Sequence, residues 1–475
     1  MHSVAEALVR LGEVAESAPV SRLSAAFAAA GHELALVGGP VRDAFLGRVA
    51  NDLDFATDAT PEQILDIVRP ISEAHWDIGR QFGTIGAKIA GETVEVTTYR
   101  ADSYDGTSRK PDVVFGTSLE ADLLRRDFTV NALALRLPQL QLVDPSGGIE
   151  DMLEGRLRTP SAPTSSFGDD PLRMLRACRF TAQLGFLVDD ATEAALEELA
   201  PSIRRISAER VNEELSKLLR TDDPRRGLEL LVDTGLAAEV LPELPALRLE
   251  MDEHHHHKDV YQHSLTVLEQ AIAYEKARGV LRSPDLVLRL AALLHDIGKP
   301  ATRRLEAAGA VTFHHHDVVG AKLARRRLRE LRFDNDTIDA VSKLIELHLR
   351  FFGYSDGVWT DSAVRRYVRD AGDQLERLHI LTRADVTTRN KRKADRLAFA
   401  YDDIERRIAE LAEQEELNAV RPDLDGEQIM ALLGIRPGRE VGQAYRFLLE
   451  LRLDEGPLGP DVAADRLRAW WAARS

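Results

Sequence analysis

The sequence predicts an α+β head built on a small mixed sheet, followed by a mostly α-helical remainder. Three observations carry this. Up to about residue 140, short apolar runs with strand-like alternation are interleaved with helical patterns. From about residue 160 onward the apolar spacing is helical almost throughout. The 475 residues suggest about three domains at roughly 150 residues each, and 44% hydrophobic with 29% charged residues can fill their cores.

Composition excludes several classes. A single cysteine, Cys178, rules out a disulfide framework and fits a reducing, cytoplasmic setting. The N-terminus, MHSVAEALVRLGEVAE, is acidic and amphipathic and does not read as a signal peptide. No apolar run reaches about 18 residues, so no membrane span is expected. A net charge of −16 argues against a generally sticky nucleic-acid binder. Arginines nevertheless cluster, at Arg204-Arg205, Arg225-Arg226, Arg303-Arg304, Arg325 to Arg327, Arg365-Arg366 and Arg389 to Lys393. RNA would lie along such patches; for most pairs a solvated helix face is the simpler reading.

Residues 1–30 read as helix. The chain is then organised around Leu36 to Thr57, a strand, a Gly-Gly turn, a short helix and a second strand. Gly38 and Gly39 allow a turn whose N–H groups face a ligand. Pro40 suits the first helical position, and Arg42 lies in the first turn behind it. A helix N-terminus after a glycine turn is a phosphate seat. Residues two apart on a strand share a face, so Asp52 and Asp54 would direct two carboxylates to one spot, as Mg²⁺ and a nucleotide's phosphates require. This combination resembles the nucleotidyltransferase head of the tRNA nucleotidyltransferase/poly(A) polymerase family, which carries GG-x-x-R-D followed by D-x-D.

Thr60-Pro61-Glu62 starts a helix. Gly83 to Ile89 and Glu92 to Tyr99 alternate as a hairpin turning near Ala90-Gly91. Glu95, on the second strand, is left open between a third carboxylate near the metals and an ordinary solvent-facing residue. Residues 100–118 read as a long loop, plausible as a lid over the nucleotide. Arg125 to Ala132 is either a salt-bridged corner or, as it resembles, the family's RRD-F-x-x-N-A motif. That resemblance implies that Arg126 and Asp127 hold the ribose and phosphates of the incoming nucleotide. Val143 to Gly148 resembles the family's hinge and otherwise reads as a linker.

The next stretch, Asp169 to Phe180, is a helix start with arginines three apart. Its plain reading is an N-cap and a solvated stripe. It resembles the family's E-D-x-x-R-x-x-R-x-x-R-F helix, with Asp169 in the usual Glu place, and this resemblance implies a base-reading helix. Cytosine and adenine each offer an amino donor beside a ring-nitrogen acceptor; uracil and guanine offer the reverse. Asp170 only accepts and Arg173 only donates, so the pair matches C and A and leaves its own groups unpaired with U and G. Arg176 and Arg179 continue the stripe toward phosphates or base. Ser207 to Leu215 reads as a capped buttressing helix, and Asp223 to Leu241 as two short helices.

Beyond an internal run, His254 to His257, lie His263, His295-Asp296, His316, His348 and Asp385. The apolar helix Leu286 to Leu294 stops at HD-x-GK. Together these resemble the HD domain of metal-dependent phosphohydrolases, with ligand order H, HD, H, H, D. His316 is preferred to His314 and His315 because HD-x-x-GA resembles the family's H-E-x-x-G-A. Imidazole with carboxylate suits a transition metal, Mn, Fe, Co or Ni. Residues 390–475 read as charged helices, Leu433 to Gly442 as a turn or an RNA-touching hairpin, and Trp470 and Trp471 as packing for the last helix.

The resemblance therefore implies four parts: a nucleotidyltransferase head, 1–148; a base-recognising neck, 149–245; an HD domain, 246–390; and a helical tail, 391–475. It implies addition of CCA to the 3′ end of tRNA from CTP and ATP, with Mg²⁺ at Asp52 and Asp54 and phosphate contacts from Gly38, Gly39 and Arg42. Alternatives are a poly(A) polymerase or a partial CC- or A-adding enzyme, a phosphohydrolase whose head recruits RNA, and a pure RNA-binding module. The oligomeric state is left open.

Overall fold

The computed structural model describes residues 4–49, 52–77, 79–101, 114–249, 259–305, 311–351, 354, 359–388, 390–415 and 421–474. His254 to His257, Arg389 and most of the expected 100–118 loop lie outside them. The chain divides into two compact units: Met1–Arg210 with Arg226–Val240, and Val211–Arg225 with Leu241–Ser475.

In the first unit, helices Val4–Glu16 and Ala18–Ala30 precede a seven-stranded sheet. Its strands are β1 (Leu34–Val37), β2 (Leu53–Thr57), β3 (Ala74–Trp76), β4 (Thr84–Ile89), β5 (Glu92–Thr98), β8 (Ala134–Leu137) and β9 (Gln141–Val143). Two short strands, β6 (Arg100–Ala101) and β7 (Val114–Phe115), pair separately. The order is β3-β4-β5-β2-β1-β8-β9. Only β2 and β5 run parallel; the other five pairs are antiparallel. All four residues of β1 are buried, as an apolar central strand requires. The β4–β5 hairpin turns through Ala90 and Gly91, both at positive φ (51° and 84°), which suits the strand twist in a two-residue turn. The helix Pro61–Val68 starts with a full capping box from Thr60 and Gln63.

After β9 the chain turns helical: Gly148–Glu154, Pro163–Asp169, Leu172–Leu184, Asp190–Leu199 and Ala208–Leu219. The 143–148 stretch is more than a linker. Asp144 caps the first of these helices by accepting from the Gly148 and Ile149 N–H groups. A Cβ at Gly148 would fall 2.1 Å from the Thr129 carbonyl oxygen, so glycine is needed for that close approach. Alternation and composition cannot register such a tertiary contact.

The second unit is helical. Val260–Arg278, Leu286–Leu294, His316–Glu330, Asn335–Leu347 and Leu375–Ala384 carry the expected HD residues at or just beyond their ends. The long helix Lys391–Glu415 follows. Three last helices, Gly426–Leu433, Arg439–Glu455 and Pro460–Ala472, share a core including Ile429, Leu448 and Leu467. Trp470 stacks on Phe447 at 4.7 Å. No helix among the described residues is long and apolar enough to cross a membrane.

Candidate active site and metal centre

The head site begins at the corner after β1. Gly38 sits at φ 70°, a conformation that favours glycine, and the helix Gly39–Leu46 starts behind it with Pro40 as its second residue. Guanidinium groups flank the corner. A Cβ at Gly38 would stand 3.0 Å from Arg126 Nη1, and one at Gly39 3.9 Å from Arg42 Nη2. Arg42 is buried and donates to Asn131 Oδ1 at 2.6 Å, with Asp43 at 2.8 Å.

Asp54 lies on β2, while Asp52 sits in the bend just before it and is exposed. The parallel pairing places Glu95 opposite Asp54 across β2 and β5. Burial, then the nearby charge of Glu95, pushes the Asp54 pKa up to about 6; Asp52 adds to this and Arg126 opposes it. The charges of exposed Glu95 and Asp52 thus both act on the partly buried Asp54. Glu95 was not separable from a surface residue by alternation alone, because only the strand order brings β5 beside β2.

Asp127 is buried at the start of the turn leading to β8. Its Oδ1 accepts from the Phe128 N–H at 2.8 Å and Asn131 Nδ2 at 3.1 Å. Its Oδ2 accepts from Arg176 Nε at 2.7 Å, with Nη2 of the same guanidinium ion-paired to it at 2.6 Å. Burial would raise this acid, but Arg176 and these hydrogen bonds outweigh burial and hold its pKa at about 2. Three hydrogen bonds and the second guanidinium nitrogen thus crowd both carboxylate oxygens. A ribose hydroxyl therefore has to compete with Arg176.

Asp170 and Arg173 do not pair through their side chains. Asp170 accepts from the Leu172 N–H at 3.1 Å and from Arg210 at 3.3 Å. Arg173 donates to Ser166 Oγ at 2.8 Å and to the Arg125 carbonyl at 2.7 Å. Arg179 is buried and donates to Gln183.

The second unit holds the other cluster. His263, His295 and Asp385 form one group of close ligand atoms, and Asp296, His316 and His348 another. In three of the histidines Nδ1 meets the carbonyl three residues earlier: His295 with Ala292 (2.9 Å), His316 with Phe313 (2.9 Å) and His348 with Ile345 (2.6 Å). A carbonyl can only accept, so Nδ1 carries the hydrogen and Nε2 is turned inward. These three Nε2 atoms are buried with no hydrogen-bond partner among the described residues. Asp296 faces both groups, with Oδ2 3.2 Å from His295 and Oδ1 3.3 Å from His316. His263 is oriented by Thr387 at 3.1 Å, which no sequence pattern marked. Lys299 donates to Asp296 at 2.8 Å. Burial works against a charged His295, but Asp296 and Asp385 outweigh it and push its pKa up to about 10. Burial, together with the His295 charge, pushes His348 down to about 4. Such a pocket calls for positive charge.

The fold and the paired sites define a nucleotidyltransferase head joined to an HD domain, each of a type that uses divalent metal. Family models agree: "Poly A polymerase head domain" matches residues 34–158, "Probable RNA and SrmB- binding site of polymerase A" matches 185–247, and "HD domain" matches 260–390. An A-adding tRNA nucleotidyltransferase of Deinococcus radiodurans is 35% identical over 450 residues, 92% of this chain and 95% of that one. A CC-adding tRNA nucleotidyltransferase of Thermus thermophilus is 33% identical over 443 residues, covering 92% and 93%. The crystal structure of the Bacillus stearothermophilus CCA-adding enzyme in complex with CTP superposes with a TM-score of 0.71 at 25% identity, covering 96% of this chain and 99% of that one. The chain belongs to the tRNA nucleotidyltransferase/poly(A) polymerase family.

Proposed function

We propose that this enzyme adds CCA to the 3′ end of tRNA from CTP and ATP, releasing pyrophosphate. The observation that carries this is the convergence of Asp54, Glu95 and Asp52 beside a glycine corner flanked by Arg42 and Arg126. In nucleotidyl transfer the tRNA 3′ oxygen attacks the α-phosphorus, and pyrophosphate leaves. The corner's N–H groups and the two guanidiniums seat the triphosphate. Asp127 and Arg176 together edge the ribose. Asp170 and Arg173 select C and A by accepting and donating at the base edge, once each exchanges its present protein partner for the nucleotide.

The acids offer oxygen donors only, which fits a hard cation. Asp52 and Asp54, with Glu95, would hold Mg²⁺, which supplies charge neutralisation on the phosphates and a lowered pKa for the attacking hydroxyl. The HD pocket, with inward Nε2 atoms and two acids, fits a transition metal instead. His263, His295, Asp296, His316, His348 and Asp385 would hold it, and it would supply an activated water for phosphoester hydrolysis.

The test is incorporation of radiolabelled CTP and ATP into tRNA lacking CCA. Wild type is expected to add three nucleotides. Asp52→Ala and Asp54→Ala each lower the rate by at least about a thousandfold, the scale expected when charge stabilisation at the reacting phosphate is removed. No incorporation by wild type, or near-normal rates in both variants, rejects the reading. Partial addition, the activity in the names of two relatives that align along 92% of the chain, one A-adding and one CC-adding, is the alternative that product length also decides. Product length on tRNAs ending before C74, before C75 and before A76 separates it from full addition.

A further inference from the structure

We propose that Phe180 is a positioning residue for the nucleotide seat, its ring gathering the guanidinium groups of Arg42, Arg176 and Arg179 into one array. The inference rests on the nucleotidyl-transfer reading of the head and adds a residue to it. The Cζ atoms of the three arginines lie 5.4, 5.4 and 4.1 Å from the ring centroid. Phe128 meets the same ring edge-on at 5.7 Å and 79°. Phe180 itself is buried.

These neighbours lead to two parts of the site. Arg42 comes from the helix behind the glycine corner and is tied to Asn131. Arg176 holds Asp127. The Phe128 N–H donates to the other oxygen of Asp127. One ring on the helix Leu172–Leu184 is therefore linked, through Arg42 to the glycine corner and through Arg176 and Phe128 to Asp127.

Three like charges around a single point repel, the more so where they are shielded from water. Asp43 and Asp127 offset part of this. The negative face of an aromatic ring offsets more, and it also fixes the angle of each guanidinium plane. A leucine would fill much of the same apolar volume without that field. With the ring in place the cations are aligned before the triphosphate arrives, so binding spends less on ordering them. The triphosphate is gripped before and during transfer alike, so loss of the ring raises KM more than it lowers kcat.

The experiment measures kcat and KM for CTP and ATP on tRNA lacking CCA. It compares wild type, Phe180→Leu, and a series carrying one, two or three ring fluorines on the phenylalanine at position 180. Fluorination drains the ring face while nearly keeping its shape. Phe180→Leu is expected to raise KM for both nucleotides about tenfold with kcat within about threefold. KM is expected to climb stepwise with fluorine number. A KM flat across the fluorinated series, or a loss confined to kcat, overturns the proposal and leaves Phe180 as packing alone. If Phe180→Leu fails to fold, the fluorinated series carries the same decision. Wild type that incorporates neither nucleotide overturns the transfer reading, and this inference with it; active wild type with a flat series overturns the inference only.

Discussion

Asp127 shows how a single acid is reshaped by where it lies. In sequence it follows two arginines and precedes Phe128 and Thr129; in the structure both of its oxygens are held by protein donors. Its pKa is held below the ordinary value, so its contribution to stability is complete above about pH 4 and is lost as pH falls toward 2. A lowering of that size corresponds to roughly 2 kcal/mol. Chemical denaturation of wild type and Asp127→Asn should show a stability difference that shrinks by about that amount between pH 5 and pH 2. A difference independent of pH across that window would remove Asp127 from this role. Glu95 teaches the complementary lesson. Its identity and alternation were visible, yet its effect on Asp54 depends on which strand lies beside it.

At the scale of elements, the histidine and aspartate cluster of the second unit gathers at or near helix ends, which can be brought close together. Gly298 makes that approach possible. A Cβ there would fall 2.1 Å from the His316 carbonyl oxygen and 2.6 Å from the Gly320 N, both backbone atoms that cannot rotate away. Gly298→Ala should push the helix His316–Glu330 off the His295-Asp296 end, costing about 1–3 kcal/mol and lowering transition-metal affinity about tenfold or more. Gly168, in the short helix Pro163–Asp169, has open space around its Cβ position. Gly168→Ala should instead stabilise by about 0.5–1 kcal/mol. Thermal unfolding and metal analysis of the two variants check both signs; equal effects would show that close backbone approach is not what glycine supplies at 298.

At the scale of the whole molecule, two side-chain clusters occupy two compact units. The head's acids lie in the first, and the histidine and aspartate pocket lies wholly in the second. His295→Ala should therefore abolish transition-metal binding, together with any hydrolysis of 2′,3′-cyclic phosphate or p-nitrophenyl phosphate. Incorporation of CTP and ATP should stay within about twofold of wild type. Hydrolysis that survives the substitution would place that chemistry elsewhere.

Much of this was legible along the chain. The glycine corner, the D-x-D pair, the arginine stripe and HD-x-GK are short patterns whose chemistry is set by residues a few positions apart. Much of this local geometry follows from backbone periodicity, as do the capped helices and the two-residue hairpin; the exception is Asp52, expected on one strand face with Asp54 but falling in the exposed bend before β2. Tertiary structure decided what distant residues do to one another. It set Glu95 beside Asp54, filled Asp127 with Arg176, brought three guanidiniums around Phe180, aimed three Nε2 atoms inward and turned Asp170 and Arg173 to separate partners. The reason is physical: charge, desolvation and hydrogen bonding act through space over a few ångströms. The order of residues along a chain specifies those distances only after the core has packed.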